Sequence, residues 1–241
     1  MVITASHQPE ALIIDLDGTL LDDAGPSGPL WDEALADTFP YWPVEMRAEA
    51  VRAIQVEALG FWSDPDRHRW GRLHMVESRA RIAGRVLIPR GWADRSTAER
   101  VAQSFTHLRD EACTWFPGAP EALDRLRARG LSLALMTNGD ARVQRPKVER
   151  LGLSAWFPVI HIEGEQGVGK PLPRAYLMVA KRLGVSLRSA WMVGDHGEWE
   201  VRAPKRLSMT TVWIRQDTDP LVARAADFVV ASFGDVPDLL E

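Results

Sequence analysis

Cysteine is nearly absent. Cys113 is the only one in 241 residues, so no intramolecular disulfide can form and a cysteine-rich zinc site is excluded. A reducing, cytoplasmic setting is the simplest expectation from that scarcity. Long apolar runs are missing too. No stretch approaches the ~20 apolar residues needed to span a bilayer. Met1 to Pro9 is short and mixed, without the basic-then-apolar order of a secretory leader. A membrane partner is therefore not expected. Nor is there a surplus of positive charge: 29 Lys and Arg stand against 33 Asp and Glu, a net charge of −4. That balance argues against a nucleic-acid partner held by phosphate neutralisation. Lysine is scarce, occurring only at Lys147, Lys170, Lys181 and Lys205, so a lysine in a polar loop stands out. What the chain does have is length and a 46% hydrophobic content. These suffice to bury a substantial core, as one large domain or as a domain carrying a smaller insertion.

Short apolar runs end abruptly in polar or glycine-rich segments. Ala11–Ile14 stops at Asp15-Leu16-Asp17-Gly18, and Leu131–Met136 stops at Thr137-Asn138-Gly139-Asp140. Val159–Ile162 precedes the glycine-rich stretch from Glu163 to Gly169, and Ala190–Val193 stops at Gly194-Asp195. Met209–Ile214 and Phe228–Val230 complete a set that reads as buried strands. Helical patterns at Pro120–Arg129, Val143–Leu151, Pro173–Leu183 and Glu200–Leu207 lie between them. Strands alternating with helices predict βαβ units and a mostly parallel sheet covered on both faces. The region between Asp22 and Ala112 has no such run. Leu30, Ala34 and Leu35 recur there at helical spacing, as do Ala50, Val51, Ile54 and Leu59, and Gly25–Pro29 and Phe116–Gly118 bound it. The predicted fold is α/β. A doubly wound, mostly parallel core is formed by 1–21 and 113–241, with an all-helical domain, 22–112, inserted after the first strand. Trp31, Trp42, Trp62, Trp70 and Trp92 fall inside the insertion and read as its core rather than as a stacking platform.

In an open parallel sheet, ligands bind beyond the carboxyl ends of the strands. Asp15, Asp17, Thr137, Lys170 and Asp195 all lie at or past such ends. Asp15 and Asp17 are two apart, so a nearly extended chain aims both to one side. Two close carboxylates repel unless a cation or a shared proton joins them. Mg2+ suits such a pair, because it takes oxygen ligands and few protein carboxylates. Taken singly, these residues have plainer readings: Asp15 as a turn or cap residue, Thr137 as the cap of the next helix, Lys170 as a solvated loop lysine.

They do not occur singly. Asp15-Leu16-Asp17-Gly18-Thr19-Leu20 behind an apolar strand resembles the signature of the haloacid dehalogenase superfamily. Leu135-Met136-Thr137-Asn138-Gly139 is similar to its second motif, Gly167-Val168-Gly169-Lys170-Pro171 to its third, and Val193-Gly194-Asp195 to its fourth. The motifs follow the family's order, and the resemblance covers essentially the whole chain. It implies a Rossmann-like core with a helical cap, and a Mg2+-dependent phosphatase acting on a small phosphorylated metabolite. On that resemblance Asp15 would be the nucleophile that forms an aspartyl-phosphate. Asp17 would be the general acid and then the general base. Thr137, Asn138 and Lys170 would bind the phosphoryl group, with Lys170 supporting transition-state charge. Asp15, Asp195 and the backbone carbonyl of Asp17 would hold the metal. Dehalogenases of this fold lack a carboxylate at the place of Asp17, since a halide leaves without a proton. A phosphomutase and a haloacid dehalogenase are the alternative enzymes. The alternative outside catalysis is a regulatory binding protein with a weakened metal site.

The fourth motif departs from the family's pattern, which commonly has a second aspartate five residues after the first. Here that position is Glu200, with Glu198 nearby. The longer arm leaves several roles open: direct ligation, ligation through water, orientation of another ligand, or service to the helix that begins there. His196 reads as a loop residue and not a ligand. Gln144, Arg145 and Lys147 resemble a stretch common in phosphatases of this group and read as residues that cap and pack their helix. Arg67, His68, Arg69, Trp70, Arg72 and His74 form the most basic cluster of the insertion. They read as a solvated helix face, with contact to an anionic substrate as the alternative.

Overall fold

The computed structural model describes residues 8–23, 25–215 and 219–241. Its strands are β1 (Ala11–Ile14), β2 (Leu21–Asp22), β3 (Thr114–Trp115), β4 (Ser132–Thr137), β5 (Val159–Ile162), β6 (Ala190–Gly194), β7 (Thr210–Ile214) and β8 (Phe228–Val230). Every side chain of β1 is buried, as a strand covered on both faces requires, and this is why the run is unbroken rather than alternating. β1 pairs in parallel with β4 on one side and β6 on the other, placing Ile13 beside Ala134 and Met192. Among the described residues the main sheet has six strands in the order β5-β4-β1-β6-β7-β8, all parallel. This is the doubly wound order, and its direction reverses next to β1. The carboxyl ends of β1, β4 and β6 therefore lie side by side where such folds bind ligands. β2 and β3 pair as a two-residue antiparallel ribbon, too short to leave a periodic signature in the sequence.

The helices are α1 (Ser27–Thr38), α2 (Val44–Trp62), α3 (Pro65–Gly71), α4 (Met75–Leu87), α5 (Arg95–Ala112), α6 (Ala119–Ala128), α7 (Ala141–Arg150), α8 (Glu163–Gln166), α9 (Pro173–Leu183), α10 (Ala203–Arg206) and α11 (Pro220–Ala225). The chain divides into two compact units. One runs through Asp22 and resumes at Thr114, and the other is Asp23–Cys113. In the first, Ala175, Tyr176 and Val179 of α9 pack on Ile13, Ala134, Met136 and Met192 of the sheet.

The second unit consists of α1 to α5. Its core joins Trp31, Leu35, Ile54, Phe61, Ile82, Leu87, Val101 and Phe105. Trp31 stacks on Phe105 with ring centroids 3.7 Å apart, while Trp42, Trp62, Trp70 and Trp92 are half-buried against the same cluster. The five tryptophans thus serve packing. Part of the basic cluster is held within the unit as well. Arg67 lies 3.7 Å from Asp64, which caps α3. His74 stacks on Trp70, over whose ring Arg81 also sits. Among the described residues no helix is long and apolar enough to cross a membrane.

One element differs from its sequence expectation. The helix expected over Glu200–Leu207 is instead a π-helical turn, Gly197–Arg202, followed by the single α-turn of α10. Such wide turns are rare and frequently occur at functional sites.

Candidate active site

Lys170 is nearly sealed from solvent, at 1% exposure. A buried ammonium is tolerated only when its protons are donated and its charge is paired. Its Nζ donates to the Met136 carbonyl at the end of β4 (2.9 Å) and to Asp15 Oδ1, and it lies 2.7 Å from Glu200 Oε1. Two hydrogen bonds and one ion pair therefore surround the ammonium. Burial alone would weaken its hold on the proton, but the charges of Asp15 and Glu200 more than reverse this and leave its pKa raised. Lys170 is therefore not a solvated loop lysine.

Its loop is held from behind. Asn138 Nδ2 donates to the Lys170 carbonyl (2.7 Å) and the Lys170 amide donates to Asn138 Oδ1 (2.8 Å). Both ends of the Asn138 amide are thus engaged with the loop backbone, and in this structure it supports Lys170. His161, fully buried on β5, bonds the Val168 carbonyl through Nε2 (2.7 Å). Burial lowers its pKa, which suits a neutral ring whose Nε2–H is the donor. The sequence reading passed over His161. Its one signal is a polar ring inside an otherwise apolar strand.

Asp15 follows directly on β1, its amide donating to the Val193 carbonyl of β6 (3.0 Å). The Thr19 hydroxyl lies 3.4 Å from Asp15 Oδ2 and 3.5 Å from Asp195 Oδ1, so one oxygen of each carboxylate faces the same small region. Gly18, at φ +77°, makes this possible, because a Cβ there would sit 2.5 Å from Asp195 Oδ2. Burial pushes both carboxyls up, and the neighbouring Asp15 charge helps raise Asp195 to about 7. Two carboxylates beside a loop backbone are the number of protein donors that Mg2+ accepts, water filling the remaining positions. The residues present therefore fit the ion.

Glu200 belongs to a different part of the site. It is fully buried, Oε1 against Lys170 and Oε2 accepting from the His196 amide (2.8 Å). Gly194 leaves room for it, since a Cβ there would lie 2.1 Å from Glu200 Cγ. Among the described residues no three or more His, Cys, Asp or Glu side chains are arranged to hold a metal, so Glu200 does not complete a three-carboxylate set. His196 is more than a loop residue. Its Nδ1 accepts from the Glu198 and Trp199 amides (3.3 Å each), capping the π-helical turn that carries Glu200 inward, and its ring stacks on Trp199. Tyr176 donates to the Trp199 carbonyl from the α9 side (2.5 Å).

Asp17 is held from the other flank. Lys147 Nζ donates to its Oδ1 and Gln144 Nε2 to its Oδ2, each at 2.7 Å. The same Gln144 nitrogen reaches Thr137 Oγ1 at 2.6 Å. Thr137 is the buried last residue of β4 and not a cap. The cap of α7 is Asp140, whose side chain accepts from the Arg142 amide (3.0 Å). Arg145 faces away and pairs with Glu165 at 2.6 Å. Two of the three α7 residues noted in the sequence therefore contact the site. Their spacing of three puts them on one helix face, but spacing alone cannot say what that face meets.

The comparisons agree with this geometry. Residues 9–207 match the family model described as haloacid dehalogenase-like hydrolase. The chain is 31% identical to the phosphoserine phosphatase of Thermus thermophilus, covering 87% of this chain and 90% of that one. It is 28% identical to the N-acylneuraminate-9-phosphatase of Rattus norvegicus, over 96% and 93% of the two chains. Among solved structures, the 2-haloacid dehalogenase of Pseudomonas syringae pv. Tomato superposes with a TM-score of 0.64 at 26% identity, covering 95% and 97%. The chain belongs to the haloacid dehalogenase-like hydrolases.

The raised Asp195 carboxyl sets a pH dependence. A group whose folded pKa lies above its unfolded value stabilises the metal-free fold at low pH, and that contribution is lost as pH rises through about 7. Mg2+ requires the ionised form. Excess Mg2+ should therefore raise the melting temperature more at pH 8 than at pH 6. An equal or larger rise at pH 6 would contradict the assignment of this pair.

Proposed function

We propose that this hydrolase is a Mg2+-dependent phosphatase that cleaves a small phosphomonoester through a phosphoaspartate on Asp15. The observation that carries the reading is Asp15 itself. It is a buried carboxylate at the end of the central strand, with a sealed lysine on one oxygen and a second carboxylate, Asp17, two residues on. Phosphatase names among the relatives support it. Asp17 favours it over dehalogenation, because an alkoxide leaving group needs a proton and a halide does not.

An Asp15 oxygen attacks phosphorus and the bond from phosphorus to the ester oxygen breaks. Asp17 gives that oxygen its proton, and the alcohol departs. Water then attacks phosphorus, Asp17 takes its proton, the bond from phosphorus to Asp15 breaks, and inorganic phosphate is released. Lys170 opposes the effect of burial on the Asp15 carboxyl and sets positive charge beside the transferring group. Thr137 now gives its hydrogen to the Asn138 carbonyl at a long 3.3 Å, a bond that a phosphoryl oxygen would replace. Asp15, Asp195 and the Asp17 carbonyl would hold Mg2+, which when bound supplies charge that stabilises the phosphoryl transition state. Glu200 acts through Lys170, its carboxylate set 2.7 Å from the ammonium.

A panel of phosphorylated metabolites, assayed for phosphate release with and without Mg2+, tests the activity. Asp15→Asn should remove essentially all turnover while the melting temperature stays near that of the parent. Retained activity would place the nucleophile elsewhere. Glu200→Gln keeps the shape but removes the charge that faces Lys170. It should lower kcat and leave the half-saturating Mg2+ concentration unchanged. A rise of about 10-fold or more in that concentration, the scale of a lost metal-supporting group, would instead make Glu200 part of the metal site.

A further inference from the structure

We infer that Gln144 and Lys147 of α7 are positioning residues for this reaction, fixing the Asp17 carboxylate and tying it to Thr137. The inference rests on the phosphatase reading above. Asp17 lies in a turn just beyond β1, where its own backbone leaves the carboxyl group free to rotate. Two donors on its two oxygens remove that freedom, since Lys147 Nζ holds Oδ1 and Gln144 Nε2 holds Oδ2, each at 2.7 Å. Both donors are buried, at 5% and 3% exposure. They are set on a helix whose start is pinned by the Asp140 cap.

Gln144 does a second thing. Its nitrogen spans Asp17 and, at 2.6 Å, Thr137 Oγ1, so a residue of the turn beyond β1 and the last residue of β4 share one donor group. The Thr137 oxygen accepts this bond, leaving the threonine's own hydrogen for a ligand. Neighbouring bonds of this kind polarise one another, so the hydroxyl becomes a better donor. The proton-transferring carboxyl and the phosphoryl-binding hydroxyl are thereby locked at a fixed separation.

The other end of Gln144, Oε1, is buried and accepts no hydrogen bond from the described residues. Flipping the amide would set Oε1 against the Asp17 carboxylate, where neither group can donate, and that bond would be lost. The amide is oriented by what its nitrogen holds.

A double-mutant cycle on a phosphorylated alkyl alcohol tests this. In the otherwise native enzyme, Lys147→Met and Gln144→Leu should each lower kcat about 10–100-fold, the scale of a misplaced reacting group, with little change in KM. The loss should be smaller on an aryl phosphate, whose leaving group needs less protonation. In an Asp17→Asn background Lys147→Met should cost less than about 2-fold, because residues acting through one partner are non-additive, while Gln144→Leu should keep only the part of its loss that runs through Thr137. Equal losses in both backgrounds, or equal losses on alkyl and aryl esters, would overturn the inference while leaving the phosphatase reading in place. Failure of the native enzyme to hydrolyse any ester would overturn both. If Lys147→Met does not fold, as a lowered near-ultraviolet dichroism would reveal, Lys147→Gln takes its place in the cycle and the same outcomes decide.

Discussion

One buried ammonium organises the site. Lys170 cannot be dehydrated without partners, and it finds them on three separate pieces of chain: the residue after β1, the last turn of β4 and the π-helical turn after β6. Because the partners are far apart in sequence, the lysine is correctly placed only when the whole parallel core is assembled. The supporting residues follow from that requirement. Asn138 clamps the lysine's backbone, His161 holds the carbonyl two residues before it, and Gly194 lets Glu200 come close enough to face it.

The same lysine creates an imbalance. Asp15, Asp195 and Glu200 crowd into a mostly buried space with one ammonium among them, and burial raises all three carboxyls. Lys170 serves Asp15 and Glu200 directly. Asp195 is met by the Thr19 hydroxyl at 3.5 Å and feels Lys170 only through space, so negative charge gathers between Asp15 and Asp195. A divalent cation at that point would discharge it.

Much of this was legible in the sequence, for a physical reason. A strand buried on both faces must be an unbroken apolar run, so β1, β4, β5 and β6 show plainly, and the polar residues that end them mark the ligand-binding edge. Asp15, Thr137, Lys170 and Asp195 were found that way, and the structure brings Asp15 together with Lys170 and with Asp195. What stayed hidden depends on tertiary direction. Helical spacing put Gln144 and Lys147 on one face but could not say that the face meets Asp17. His196 was read as a loop residue because a ring nitrogen that caps a π-helical turn has no pattern in sequence. Glu200 was left between several roles because a carboxylate five residues after Asp195 can face an ion or a lysine, and only the room made by Gly194 shows which it meets.

The central claim is that Asp15 carries the phosphoryl group between two displacements. It is tested most directly by stopping turnover of a good phosphomonoester substrate with acid, digesting the protein and mapping covalent phosphate by mass spectrometry. The account predicts a hydroxylamine-sensitive phosphoryl group on the peptide containing Asp15, present during turnover and absent once substrate is exhausted. Rapid phosphate release with no phosphorylated protein at any quench time, or with the group on another residue, would contradict it.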